Sequence, residues 1–126
     1  MQLLIDTHIL IWFLEGNNLL STKRQKILTD SKNEVTVSIA SLWEMAIKIS
    51  LGKLTLSKPL TDVIKQLTVE NIEIFPILPN HTLQVSSLPF YHRDPFDRII
   101  IAQSQFEKLD LMSDDSEFAK YGVNLL

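Results

Sequence analysis

Short strand-like runs alternate with longer helical stretches along the chain, and this alternation limits the folds open to it. Apolar or β-branched runs, typical of buried strands, occupy residues 2–6, 34–38, 72–75 and 109–113. Helical patterns cover residues 8–15, 21–31, 38–51, 59–69, 80–87, a segment from 95 onward, and 115–121. Strands separated by helices predict an α/β fold with a mostly parallel sheet and helices on both faces. Residues 123–126 are a candidate fifth strand.

Length and composition fit one domain without covalent cross-links. The chain has 126 residues, 45% of them hydrophobic, and shows no internal repeat or linker, so we expect one domain over residues 1–126. The absence of cysteine excludes disulfides and thiolate zinc sites and is compatible with a reducing cytoplasm. The N-terminus lacks a signal-peptide pattern, and no apolar run reaches the roughly 20 residues of a membrane span. A soluble, cytoplasmic protein is the expectation.

Four acidic residues, far apart in the sequence, fall where this fold would gather them: Asp6, Glu44, Asp97 and Asp115. Asp6 ends the first strand, and Asp115 follows the fourth. In open α/β sheets, ligands bind at the carboxyl ends of the strands. Crowded carboxylates repel one another, so a chain that gathers several usually holds a hard cation such as Mg²⁺ or Mn²⁺. The pattern therefore predicts a divalent metal site.

Each acid also has an ordinary structural explanation. Asp6, Asp94 and Asp115 could be helix N-caps, each contributing on the order of 1 kcal/mol. Glu44 could form an i,i+4 pair with Lys48 worth only tenths of a kcal/mol. For any single residue this explanation is as good as a metal ligand or better. The joint placement of the acids at one sheet edge is what favours the metal site.

The third and fourth acids each have a close competitor in the sequence. Asp94 is the natural N-cap of the helix that begins at Pro95, which leaves Asp97 free to face a cleft, but either could be the third ligand. Asp114 competes with Asp115 in the same way. Hydroxyl groups lie beside the acids and could orient them, or could simply cap helices and turns: Thr7, Ser38, Ser41 and Ser113.

Other kinds of site find less support. The three histidines, His8, His81 and His92, have no close metal spacing and no cysteine partners, which argues against zinc. No glycine-rich phosphate loop is present. The net charge is −3, and setting aside four ligand carboxylates leaves −3 + 4 = +1, so the charge does not exclude a phosphate substrate.

Four sequence blocks, in this order, resemble the PIN-domain ribonucleases and, more narrowly, the VapC-type toxins of type II toxin–antitoxin pairs. They are Leu4-Ile5-Asp6-Thr7-His8, the stretch from Val37 to Lys48 with Ser41-Leu42-Trp43-Glu44, the stretch His92-Arg93-Asp94-Pro95-Phe96-Asp97-Arg98 with Ile101-Ala102-Gln103, and Ser113-Asp114-Asp115 with Phe118. The resemblance covers nearly the whole chain.

The resemblance implies a three-layer α/β/α domain with a four- to five-stranded sheet and an endoribonuclease activity that depends on Mg²⁺ or Mn²⁺. It places the metal-ligand roles on Asp6, Glu44, Asp97 and Asp115, with Asp94 as the alternative to Asp97. At position 113 the family often has Thr, and Ser113 keeps the hydroxyl. The family also implies a homodimer and a small antitoxin encoded beside it. An antitoxin segment is expected to place Arg or Lys against the carboxylates and to pack near Trp12, Phe13 or Trp43.

Three other functions fit the sequence less well. A receiver-like phosphoacceptor domain would need paired acids after the first strand, where Asp6 stands alone before Thr7. A haloacid-dehalogenase-like phosphatase would need an Asp two residues after Asp6, where the chain has His8. A PIN-like module that only binds RNA or protein remains open, although intact acids at all four positions favour catalysis.

Overall fold

The central element is a four-stranded, all-parallel sheet, seen in a computed structural model that covers residues 1–126. The strands are β1 (Gln2–Ile5), β2 (Glu34–Ser38), β3 (Ile72–Phe75) and β4 (Asp110–Met112). Their order across the sheet is β3-β2-β1-β4. The strand β1 is therefore an interior strand, pairing with β2 on one side and with β4 on the other.

Helices connect the strands, as parallel pairing requires. They are α1 (Thr7–Glu15), α2 (Thr22–Thr29), α3 (Ile39–Ser50), α4 (Leu60–Val69), α5 (Pro79–Ser86) and α6 (Pro95–Glu107), followed by a 3₁₀ helix over Ser116–Tyr121. None of these helices is both long enough and apolar enough to cross a membrane.

The hydrophobic core is divided between the two faces of the sheet. Leu3 and Ile5 belong to a cluster with residues of α1, α3 and α4, whereas Leu4 belongs to a second cluster with residues of α6 and the 3₁₀ helix. Alternate residues of a strand point to opposite faces, so β1 contributes to both clusters. Both faces are covered, which confirms the predicted α/β fold with helices on either side of a parallel sheet.

The predicted fifth strand at residues 123–126 does not form a strand. It is reduced to one parallel bridge between Leu111 and Leu125, closed by hydrogen bonds from Leu111 N–H to Asn124 O (2.9 Å) and from Leu126 N–H to Leu111 O (2.8 Å). The sheet therefore has four strands.

Three predicted boundaries also move by a residue. The strand β1 ends at Ile5 because Asp6 is already the N-cap of α1. The strand β4 ends at Met112, and the short helix predicted at 115–121 is a 3₁₀ helix that begins after its N-cap, Asp115.

Candidate functional site

Asp6 lies where the neighbouring strands β1 and β4 both end. Its backbone N–H donates to Met112 O over 3.1 Å, which holds the two strand ends together. Its carboxylate accepts a hydrogen bond from Ile9 N–H at 2.9 Å, as the N-cap of α1, and a second one from the Ser113 hydroxyl. Asp6 is only 6% exposed. The residue is therefore a helix cap and a buried carboxylate at the carboxyl edge of the sheet.

Burial works against the ionised form of Asp6. Desolvation raises the pKa of Asp6, while the hydrogen bonds from Ser113 and Ile9 lower it, and nearby Glu44 raises it slightly. A bound cation would favour the ionised form and relieve this cost.

Glu44 is brought to the same edge by β2 and α3. It lies in the second turn of α3, which begins directly after β2, and it is 5% exposed. Its Oε1 accepts a hydrogen bond from the Thr7 hydroxyl at 2.6 Å, and its Oε2 accepts one from Lys48 Nζ at 2.7 Å. The Ser41 hydroxyl lies 2.9 Å from that of Thr7. Both carboxylate oxygens of this buried acid therefore have partners, one of them a cation.

Lys48 is the positively charged group beside the acids. The hydrogen bond to Glu44 raises the pKa of Lys48, and the charges of Glu44, Asp94 and Asp97 raise it further. The ammonium group is therefore stabilised by several carboxylates at once.

The helix α6 supplies Asp94 and Asp97, in different roles. Asp94 is the N-cap, and its Oδ1 accepts hydrogen bonds from the backbone N–H groups of Phe96 (2.8 Å) and Asp97 (3.0 Å). Asp97 lies in the first turn and is half-buried. Burial and the charge of Asp94, with smaller effects of Glu44 and Asp6, raise the pKa of Asp97 to about 6, although His92 opposes the shift. Asp6, Glu44 and Asp97 therefore share one electrostatic environment.

Asp115 reaches the site through a different set of contacts. It is the N-cap of the 3₁₀ helix, and its Oδ1 accepts a hydrogen bond from Glu117 N–H at 3.0 Å. Its Oδ2 lies 2.7 Å from His92 Nε2. Desolvation is outweighed by the hydrogen bonds from His92 and Glu117, and the pKa of Asp115 is lowered. Its backbone N–H donates to the Ser113 hydroxyl (3.0 Å), which in turn donates to Asp6.

The donor chemistry of the cluster fits a hard divalent cation, although the side chains do not form a finished site. No three carboxylate or imidazole groups converge closely enough to hold an ion as they stand. Asp6, Glu44 and Asp115 are instead engaged by Ser113, Lys48 and His92. Carboxylate oxygens are the ligands that Mg²⁺ and Mn²⁺ prefer. The charge of Glu44 raises the pKa of Asp6, and the charges of Glu44 and Asp6 raise that of Asp97. In this arrangement the cation beside Glu44 is Lys48.

Sequence reasoning did not assign His92 a role at the site. His92 was considered only as a zinc ligand, and no spacing rule connects it with an acid that lies 23 residues further along the chain. Its position two residues before Asp94 was the one available signal. The pairing of Lys48 with Glu44 was predicted, but only as an i,i+4 pair worth tenths of a kcal/mol.

Comparison with solved structures shows what the fold is similar to. The chain resembles VapBC2 from Rickettsia felis, solved bound to a DNA fragment from their promoter, with a TM-score of 0.74 and 16% identity over 100% of this chain and 98% of that one. It resembles a toxin–antitoxin complex from Klebsiella pneumoniae with a TM-score of 0.61 and 18% identity over 98% and 94%. It resembles VapBC-1 from nontypeable Haemophilus influenzae with a TM-score of 0.66 and 15% identity over 100% of this chain and 97% of that one.

The family assignment comes from sequence. No protein among the curated ones matches the chain at a significant level. The sequence model of the PIN domain, however, matches residues 3–124, which is nearly the whole chain and includes all four predicted acids. This match confirms the resemblance drawn from the sequence blocks, and the chain belongs to the PIN domain family.

Proposed function

We propose that this PIN-domain protein is a metal-dependent endoribonuclease and the toxin of a toxin–antitoxin pair. The observation that carries the proposal is the group of Asp6, Glu44 and Asp97 at the carboxyl edge of the sheet, where burial and the charges of neighbouring carboxylates raise the pKa values of Asp6 and Asp97. Such a group needs a cation, and the available oxygen donors suit Mg²⁺ or Mn²⁺. The fold shared with VapBC proteins supports the toxin assignment.

In this proposal Asp6, Glu44 and Asp97 hold the ion, and Asp115 completes the ligand set. A divalent ion bound there would lower the pKa of a water molecule and stabilise charge on the reacting phosphate. The Ser113 hydroxyl orients Asp6, and the Thr7 hydroxyl orients Glu44. Lys48, once released from Glu44, stays beside the site as a cation for a phosphate oxygen of the RNA.

The test compares two Asp→Asn substitutions. Asp6→Asn should reduce RNA cleavage in Mg²⁺ by more than about a hundredfold, since it alters a buried ligand, whereas altering a ligand's partner typically costs 10–100-fold. Asp114→Asn is the matched control, because Asp114 is exposed and pairs with Arg24. An Asp6→Asn protein that cut RNA at the normal rate would contradict the proposal.

The antitoxin is proposed to cover the acidic site and the apolar surface beside it. Of the three aromatic residues expected to contact it, Trp43 is 61% exposed, whereas Trp12 and Phe13 pack against the core. Trp43 and Phe96 meet edge to face (5.2 Å between centroids) in a groove of about 440 Å³. Co-expression with the adjacent reading frame should give a copurifying small protein, and Trp43→Ala should weaken the complex. Failure to associate would contradict the toxin assignment.

A non-catalytic PIN module is the second candidate, favoured by one observation. The acids are engaged by Ser113, Lys48 and His92 rather than arranged around a cation. Titration with Mn²⁺ by calorimetry separates the two functions, because a purely binding module has no need of the ion. The homodimer, the single domain over residues 1–126 and the cytoplasmic location stay predictions.

A further inference from the structure

The imidazole of His92 is held on every side. Its ring packs against Phe118 (4.6 Å between centroids) and Tyr121 (5.5 Å), and the side chain is only 9% exposed. The backbone N–H of His92 donates to the Tyr121 hydroxyl at 2.7 Å, and its carbonyl accepts a hydrogen bond from the buried Arg98 guanidinium at 3.2 Å. The backbone and the side chain of His92 are therefore both fixed.

These contacts favour one placement of the imidazole proton. The Tyr121 hydroxyl accepts the backbone N–H of His92, so its own hydrogen is available to His92 Nδ1, 3.1 Å away. With Nδ1 as the acceptor, Nε2 must carry a hydrogen, which points at Asp115 Oδ2 at 2.7 Å. Tyr121 thus orients the imidazole, and the imidazole presents a donor to the carboxylate.

Asp115 depends on such a donor more than Asp6 and Glu44 do. Its side chain is 43% exposed, while Asp6 and Glu44 are buried and hydrogen-bonded. An exposed carboxylate is free to rotate unless hydrogen bonds hold it, and such partners of metal ligands affect both the geometry and the affinity of a site. For Asp115 they are Glu117 N–H on Oδ1 and His92 Nε2 on Oδ2.

We propose that His92 is a positioning residue, which fixes the Asp115 carboxylate at the edge of the acidic cluster through its Nε2–H and is itself oriented by Tyr121. This inference rests on the proposed function, because it takes Asp115 as the fourth metal ligand. The contact between His92 and Asp115 also connects two segments of the chain. His92 belongs to the segment that leads into α6, so one side chain links the acids of α6 to the acid that follows β4.

The test measures Mn²⁺ affinity by calorimetry on the whole protein. His92→Leu keeps an apolar contact with Phe118 but removes the donor, and it should weaken Mn²⁺ binding by about tenfold. His92→Gln offers an amide N–H near the position of Nε2 and should restore most of the affinity. Thermal unfolding of both variants shows whether they are folded. A merely structural histidine would not distinguish Leu from Gln in this way.

A second readout needs neither metal nor activity. In ¹⁵N NMR of the imidazoles, His92 should appear with its proton on Nε2, and Asp115→Asn should shift that signal. Asp114→Asn, the neighbouring control, should leave it in place. A His92 that carries its proton on Nδ1 overturns the inference even if both variants of His92 fail to fold.

The outcomes separate this inference from the proposed function. If the wild type binds Mn²⁺ and His92→Leu binds it equally well, the positioning role of His92 is wrong and the metal site stands. If the wild type does not bind Mn²⁺, both proposals are wrong. If Leu weakens binding and Gln restores it, His92 positions Asp115.

Discussion

Among the acids of the site, Asp97 is the one whose pKa the folded structure raises most clearly. Burial, Asp94, Glu44 and Asp6 all favour its protonated form and raise its pKa to about 6 from a normal value of 3.8. The folded protein therefore binds this proton more tightly than the unfolded chain does. The free energy of unfolding of the metal-free protein must then decrease as the pH rises through that range, because the folded state progressively loses the proton it favours.

Removing this charge should stabilise the metal-free protein. Two pKa units correspond to roughly 3 kcal/mol at most, and the partial exposure of Asp97 reduces this to about 1 kcal/mol. We expect metal-free Asp97→Asn to unfold at a higher urea concentration than the wild type at pH 7, with the difference shrinking towards pH 4.5. The same variant should lose Mn²⁺ affinity, a trade of function against stability.

Asp114→Asn is the control for this experiment, because Asp114 is exposed and bound to Arg24. The difference in stability between Asp114→Asn and the wild type should not change between pH 4.5 and pH 7 as it does for Asp97→Asn. An Asp97→Asn protein less stable than the wild type at pH 7 would mean that the charge of Asp97 is already compensated within the metal-free fold.

At the scale of single elements, α6 distinguishes a capping acid from a ligand acid. The sequence left Asp94 and Asp97 as alternatives for the third ligand. In the structure, Asp94 accepts two backbone N–H groups of the first turn, whereas Asp97 faces the charges of Asp6 and Glu44. These contacts assign the cap to Asp94, and we propose Asp97 as the third ligand.

Two substitutions at Asp94 test this division of roles. Asp94→Ala should destabilise the protein by about 1 kcal/mol, because the first turn of α6 loses its side-chain acceptor, while Asp94→Ser should keep most of the stability. Urea unfolding measures both. Mn²⁺ affinity should change little in Asp94→Ser. A large loss of affinity in that variant would make Asp94 the ligand.

The elements that the sequence predicted well are those with a strong local pattern. The β-branched run Val35-Thr36-Val37 and the apolar periodicity of α3 determine their own structure, and they place Glu44 correctly. The candidate fifth strand at residues 123–126 is reduced to one bridge, because its three apolar residues extend the sheet only if the neighbouring strand is long enough, and β4 has three residues.

Sequence patterns did not predict the long-range side-chain contacts within the site. The bond between His92 and Asp115 spans 23 residues, and that between Ser113 and Asp6 spans 107. Whether such side chains meet depends on how the strands are ordered across the sheet, which no local pattern records. The sequence predicted that the acids lie at one edge and named Thr7, Ser113 and Lys48 beside them, but it did not pair Ser113 with Asp6 or His92 with Asp115.

For the molecule as a whole, the acidic cluster predicts that divalent ions stabilise the fold. An ion that binds only the folded state adds about 2.7 kcal/mol at a free concentration a hundred times its Kd. We expect the Tm to rise with MnCl₂ at pH 7.5 and to rise less at pH 5, where Asp97 is largely protonated. Differential scanning fluorimetry measures this, and EDTA should reverse it. If the Tm of the wild type did not change with Mn²⁺, the result would argue against a metal site at the acidic cluster.

The strand β1 is made first, yet it lies between β2 and β4, and Ser113 reaches Asp6 across 107 residues. A ribosome translating this chain must therefore add all of that polypeptide before the pocket around Asp6 can close. While the earlier part is being synthesised, Asp6 and Glu44 emerge without the strand that completes their edge of the sheet. For a protein proposed to cut RNA, this order of assembly completes the site only after most of the chain has been made.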